Sequence, residues 1–92
     1  PQNIPVENQN IETKESSVSV KNLGREVFIH SKNLNRTTQL SIFNLSGIEI
    51  KTIILEKGNQ ELSFFLNEIP AGYYFFQIKN QSFQKSGKLF FF

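Results

Sequence analysis

From Val18 to Phe92 the apolar residues come in short runs, each closed by glycine, proline, asparagine or a polar cluster. An amphipathic helix needs at least about 10–12 residues with apolar side chains recurring every 3.6 positions, and no stretch of this chain has that period. The runs alternate instead. In Gln60 to Leu66, the side chains of Leu62, Phe64 and Leu66 fall on one face, with Ser63, Phe65 and Asn67 on the other. The apolar stock is ten phenylalanines together with isoleucine, leucine and valine, while tryptophan, methionine and aspartate are missing. These stiff aromatic and β-branched groups favour strands, so the sequence predicts an all-β fold.

The punctuation sets the expected strands. Val18 to Lys21 and Glu26 to His30 are separated by Asn22-Leu23-Gly24. A polar stretch, Ser31 to Arg36, precedes Thr38 to Leu45. Ser46-Gly47 then Ile48 to Leu55 reads as a hairpin closed by a tight two-residue turn. Glu56-Lys57-Gly58-Asn59 makes the next turn, before the strand Gln60 to Leu66. Asn67-Glu68-Ile69-Pro70-Ala71-Gly72 forms a corner in which proline presets φ and glycine permits the reversal. Tyr73 to Lys79, a polar turn at Asn80-Gln81, and Ser82 to Phe92 complete the chain. About seven strands with regular turns fit an immunoglobulin-like antiparallel β-sandwich of Greek-key topology.

At 92 residues the chain holds one domain, since a core of this size cannot be divided further. Residues 1–17 are rich in Asn, Gln and Glu and read as a linker, leaving 18–92 for the sandwich; a chain that opens in such a segment reads as part of something longer. With no cysteine there is neither a disulfide framework nor a thiolate metal site. The net charge of +2 arises from ten Lys/Arg and eight Glu scattered without a block of like sign, which is too diffuse for nucleic acid. No apolar run approaches the roughly 20 residues of a membrane-spanning helix.

Catalytic chemistry finds little to work with. His30 is the single histidine; with no cysteine or aspartate beside it, the simplest reading is a half-exposed side chain at a strand end. The glutamates are not placed as a pair at the roughly 5–9 Å separation that glycoside hydrolysis requires. There is no Asp-rich calcium loop and no phosphate-cradling glycine loop. The expectation is a non-enzyme with no metal and no cofactor. Asn35, Asn44 and Asn80 begin Asn-x-Ser/Thr triplets, which arise easily by chance in so Asn-rich a chain. If Tyr74, Phe76 and Ile78 point inward, Tyr73 and Phe75 point out, with Phe65 as their neighbour on the preceding strand. Such an exposed aromatic face could stack sugars or be covered by a partner.

Three segments in order resemble a known pattern. Ile42-Phe43-Asn44-Leu45-Ser46-Gly47-Ile48-Glu49-Ile50 resembles a hairpin of the form I-Y-D-L-x-G-R-x-V, with Asn44 in the place of the usual Asp. Ile69-Pro70-Ala71-Gly72-Tyr73-Tyr74-Phe75-Phe76-Gln77-Ile78 resembles L-P-A-G-x-Y-x-x-x-I. Gly87-Lys88-Leu89-Phe90-Phe91 resembles a last strand in which a lysine precedes apolar residues. Together they look like the C-terminal sorting domain of proteins exported by the type IX secretion system of Bacteroidetes, over Val18 to Phe92.

The resemblance implies a tag at the end of a larger secreted protein, such as a protease, glycosidase or adhesin. An outer-membrane translocon would recognise it, a sortase would cut within or upstream of Pro1 to Ser17, and the cargo would be joined to surface lipopolysaccharide or released. The protein would pass through periplasm and outer membrane to the cell surface or medium. Recognition would fall on Lys88, Leu89, Phe90, Phe91 and Phe92, by strand addition at an edge with the phenylalanines filling pockets. Gly47, Pro70, Ala71, Gly72 and Tyr74 have structural roles, Tyr74 in the manner of a tyrosine corner with its hydroxyl on the backbone. Lys88 is either a recognition contact or a guard against edge aggregation. Two other readings are a sandwich module binding glycan through Tyr73, Phe75 and Phe65, and a spacer packed against a neighbouring domain.

Overall fold

Alternation of apolar and polar side chains becomes alternation of buried and exposed positions in the computed structural model, which describes residues 16–92. Its strands are β1 Ser17–Leu23, β2 Glu26–Leu34, β3 Thr38–Phe43, β4 Glu49–Leu55, β5 Gly58–Phe65, β6 Gly72–Lys79 and β7 Gln84–Phe91, with no helix among the described residues. All pairings are antiparallel. They build a three-stranded sheet, β1-β2-β5, and a four-stranded sheet, β4-β3-β6-β7. Because β2 pairs with β5 while β3 and β4 cross to the other sheet, the topology is that of an immunoglobulin-like sandwich. The inner faces meet in a core that includes Val27 and Ile29 from one sheet and Leu40, Ile42, Tyr74, Phe76, Ile78, Leu89 and Phe91 from the other.

Several boundaries differ from the sequence expectation, each for a physical reason. The β3–β4 hairpin is not closed by a two-residue turn. Phe43 pairs with Glu49, and residues 44–48 form a loop. Asn44 closes it: the Oδ1 accepts from the Ser46 and Ile48 amides at 2.9 and 3.0 Å, and the Asn44 carbonyl accepts from the Gly47 amide at 2.9 Å. The side-chain oxygen of Asn44 does what a carboxylate would do there, which explains why Asn serves in place of Asp.

The polar stretch after His30 is not a loop, because β2 continues to Leu34, pairing Ser31 with Gln60 and Leu34 with Gly58 across a register shift. Asn33 absorbs that shift at φ 56°, and its amide donates to Asn59 Oδ1 at 2.8 Å. His30 is accordingly not at a strand end; it is exposed within β2 with Nδ1 3.0 Å from the Glu61 carboxylate on β5. At the other boundaries β5 starts at Gly58 and β7 at Gln84. The polar turn between β6 and β7 is held by Asn80, whose Oδ1 accepts from the amides of Ser82 and Phe83 at 2.6 and 3.1 Å. The linker expected over residues 1–17 lies outside the described residues apart from Ser16 and Ser17, and Ser17 already belongs to β1.

Candidate partner-recognition surface

The last strand decides which of the expected recognition residues can be touched. β7 pairs only with β6 and so forms an edge of the four-stranded sheet. Its period of two splits the run: Leu89 and Phe91 are 4% and 0% exposed, whereas Phe90 and Phe92 are 43% and 78% exposed and Lys88 is exposed with them. Leu89 and Phe91 are core residues. Lys88, Phe90 and Phe92 form the displayed set.

Across the strand pair, Tyr73 faces Phe90 and Phe75 faces Lys88, while on the other side of β6 Phe75 faces Phe43. The displayed side chains therefore meet those of Tyr73 and Phe75 on one outer face. The Tyr73 and Phe90 ring centroids are 4.8 Å apart, Phe90 and Phe92 stack at 5.9 Å with 16° between planes, and Lys88 Nζ lies 5.6 Å from the Tyr73 centroid. A lysine over an aromatic face contributes about 0.5–1 kcal/mol at an exposed site and fixes the position of the charge. Phe65 is exposed as well, but it does not neighbour Tyr73 and Phe75 as expected. The residue 66–71 corner carries the chain from one sheet to the other, so β5 and β6 are not paired, and Phe65 sits on the three-stranded sheet. The three residues make no single platform.

The structural motif holds this strip in place from behind. The Tyr74 hydroxyl donates to the Pro70 carbonyl at 2.6 Å, the bond expected of a tyrosine corner. The buried ring of Tyr74 meets Phe91 edge-on at 5.5 Å, so the corner props the last strand. Pro70 and Ala71 are exposed on the turn, and Gly72 and Gly47 adopt φ of 140° and 87°, in the region that favours glycine.

Arg25, which no sequence motif singled out, ties the same end together. Its Nη1 donates to the carbonyls of Leu66 at 3.2 Å and Ile69 at 2.7 Å, its Nε donates to the Phe92 carbonyl at 3.2 Å, and its guanidinium lies 6.0 Å from the Phe91 ring centroid. Nearby, Asn22 Nδ2 donates to the Phe90 carbonyl at 2.7 Å. Farther down β7, Lys85 Nζ donates to the Val18 carbonyl at 2.8 Å. Side chains of the β1–β2 hairpin thus occupy carbonyls at the end of β7 that an added strand would use.

The opposite edge, β4, is blunted by different means. The register shift opposite Ile42/Phe43 leaves Ile50 as an extra residue. Lys51 pairs with the buried Ile42 on the inner side, with Nζ 5.3 Å from the Phe64 ring centroid. Bulges and inward-pointing charges are recognised guards against edge-to-edge pairing.

Among the described residues no group of three or more His, Cys, Asp or Glu could hold a metal ion. The outer face of the three-stranded sheet carries a shallow depression lined by Lys21, Phe28, His30, Glu61 and Ser63. In comparisons with known proteins, no curated protein matches. The family described as the secretion system C-terminal sorting domain matches residues 24–91, from the β1–β2 turn to the end of β7. With that match covering more than half of the sequence and the predicted sandwich in place, the chain belongs to the C-terminal sorting domains of type IX secretion.

Proposed function

We propose that this domain is the sorting tag of a larger exported protein and that the outer-membrane translocon reads it through the displayed side chains Lys88, Phe90 and Phe92, with Tyr73 and Phe75 beside them. The family is one of sorting signals for export to the cell surface or medium, not of enzymes, and membership implies attachment to a cargo polypeptide and contact with the secretion machinery. The observation that carries the residue-level proposal is the alternation of β7, which turns two phenylalanines and a lysine outward on a face where Tyr73 already stands. Binding hot spots are commonly aromatic side chains clustered in this way. Leu89 and Phe91 contribute by keeping the strand packed.

After translocation, a sortase cuts the segment before the sandwich, within or upstream of Pro1 to Ser17, and the cargo is either joined to surface lipopolysaccharide or released. The cargo is a larger secreted protein, such as a protease, glycosidase or adhesin.

Deleting Lys88 to Phe92 is a poor test. It removes two core side chains, each costing about 2–5 kcal/mol, from a domain whose total stability is on the order of 5–15 kcal/mol. Surface substitutions avoid that. A periplasm-directed reporter ending in residues 1–92 is expected in the medium or on the surface of a type IX-competent bacterium, whereas the same fusion with Phe90→Ser and Phe92→Ser remains in the periplasm. Equal export of the two fusions, with equal melting temperatures, would refute recognition through this face.

A further inference from the structure

The exposed hydrophobic side chains are gathered at one pole of the sandwich. Strand directions place the β1–β2 turn, the β3–β4 loop, the β5–β6 corner and the end of β7 together there, and the bonds from Arg25 and Asn22 to Leu66, Ile69, Phe90 and Phe92 confirm that neighbourhood. Of the nine large hydrophobic residues that are exposed among the described residues, eight lie in this half and only Ile54 lies elsewhere. Besides the aromatic strip they are Leu23, Leu45, Ile48 and Phe65, contributed by three further segments. The opposite pole is polar. It consists of residues 35–37, 56–57 and 80–82, and it is where Ser16 enters, with its hydroxyl donating to the Asn33 carbonyl at 2.6 Å.

Exposed large hydrophobic side chains gathered toward one end of a domain, on both sheets and the loops between them, mark a surface that a partner covers. Ser16, through which the chain enters the described fold, sits at the far pole. Glu26, Glu49 and Glu68 rim the apolar pole, while the Arg25 guanidinium is engaged on carbonyls, so an anionic lipid surface, which favours a basic rim, is a poor match.

Resting on the proposed sorting role, we infer that the whole pole is the docking site, seated end-on in an apolar socket of a protein of the secretion machinery that sets basic groups against Glu26, Glu49 and Glu68 and an acidic group against Lys88. Because its parts come from segments far apart in sequence, only the folded sandwich presents the signal. A linear tail does not.

The test uses the reporter fusion to residues 1–92 in a type IX-competent bacterium. Leu45→Ser/Ile48→Ser alters the loop some 40 residues before the last strand, and Ile54→Ser is the control outside the pole. The loop variant is expected to lower export at least about tenfold, as loss of paired hot spots does, at an unchanged melting temperature, while Ile54→Ser exports normally. Normal export of the loop variant alongside retention of Phe90→Ser/Phe92→Ser would overturn the end-on site and leave the sorting role standing. Failure of the wild-type fusion to export would defeat the sorting role itself. Self-association of the purified domain that the loop substitutions abolish would assign the pole to a second copy and overturn the inference.

Discussion

Gly87 faces Phe76 across the β6–β7 pair, and the aromatic ring lies over the glycine. A Cβ at position 87 would stand 2.6 Å from Cζ and 2.7 Å from Cε2 of that ring. Carbon atoms prefer about 3.5–4.0 Å, so Phe76, which is buried, would have to move by about an ångström. Overpacking of this kind costs about 1–3 kcal/mol. Replacing glycine by alanine returns about 0.4–1 kcal/mol through the unfolded chain. Gly87 does not have positive φ, so no backbone strain is added. The net expectation for Gly87→Ala is a loss of about 0.5–2 kcal/mol, and at about 4–8 °C per kcal/mol for a domain of this size the melting temperature falls by some 2–16 °C.

Thermal unfolding followed by circular dichroism reads the shift. A double-mutant cycle with Phe76→Leu identifies its cause, because the smaller side chain relieves the overlap and the two losses should fail to add by at least about 0.5 kcal/mol. An unchanged or raised melting temperature, or strict additivity, would refute the steric reasoning.

Arg25→Ala removes three bonds from a charged donor and should destabilise the domain by about 1.5–3 kcal/mol, with Arg25→Lys recovering little because a point charge cannot span the same carbonyls; chemical denaturation measures both. Tyr74→Phe deletes only the bond to the Pro70 carbonyl and should cost about 0.5–1.5 kcal/mol in the same assay. Asn44→Asp should hold the β3–β4 loop and Asn44→Ala should lose about 1–2 kcal/mol, since two amides lose their acceptor; amide exchange of Ser46 and Ile48 reports the difference. Ser31 Oγ is buried with no hydrogen-bond partner, so Ser31→Ala is expected to be neutral or to stabilise the domain by up to about 1 kcal/mol, which a melting curve decides.

The sandwich was legible because its signals are local. Period-two burial in Gln60 to Leu66 and Tyr73 to Lys79 follows from strand geometry, and Pro70, Gly72 and Tyr74 state the corner within five consecutive residues. What escaped is set by tertiary pairing. Whether Phe65 neighbours Tyr73 depends on the corner changing sheets, which the residues of the corner do not encode. The strand character of Ser31 to Leu34 comes from pairing with β1 on one side and β5 on the other, and the size of the β3–β4 loop comes from Asn44 accepting two amides at once. Within the recognition surface, the run Lys88 to Phe92 was visible as a unit, but its division into core and displayed residues required knowing which face of β7 meets Tyr74. Arg25 gave no signal because its acceptors are backbone carbonyls of residues some 40 to 67 positions away.

The sorting role is tested most directly by a reporter directed to the periplasm and ending in residues 1–92, expressed in a bacterium with an intact type IX system and in the same bacterium lacking the translocon. The fusion is expected in the medium or on the surface of the first strain and in the periplasm of the second, with an untagged reporter periplasmic in both. A tagged reporter that stays in the periplasm of the intact strain, or that leaves both strains equally, would contradict it.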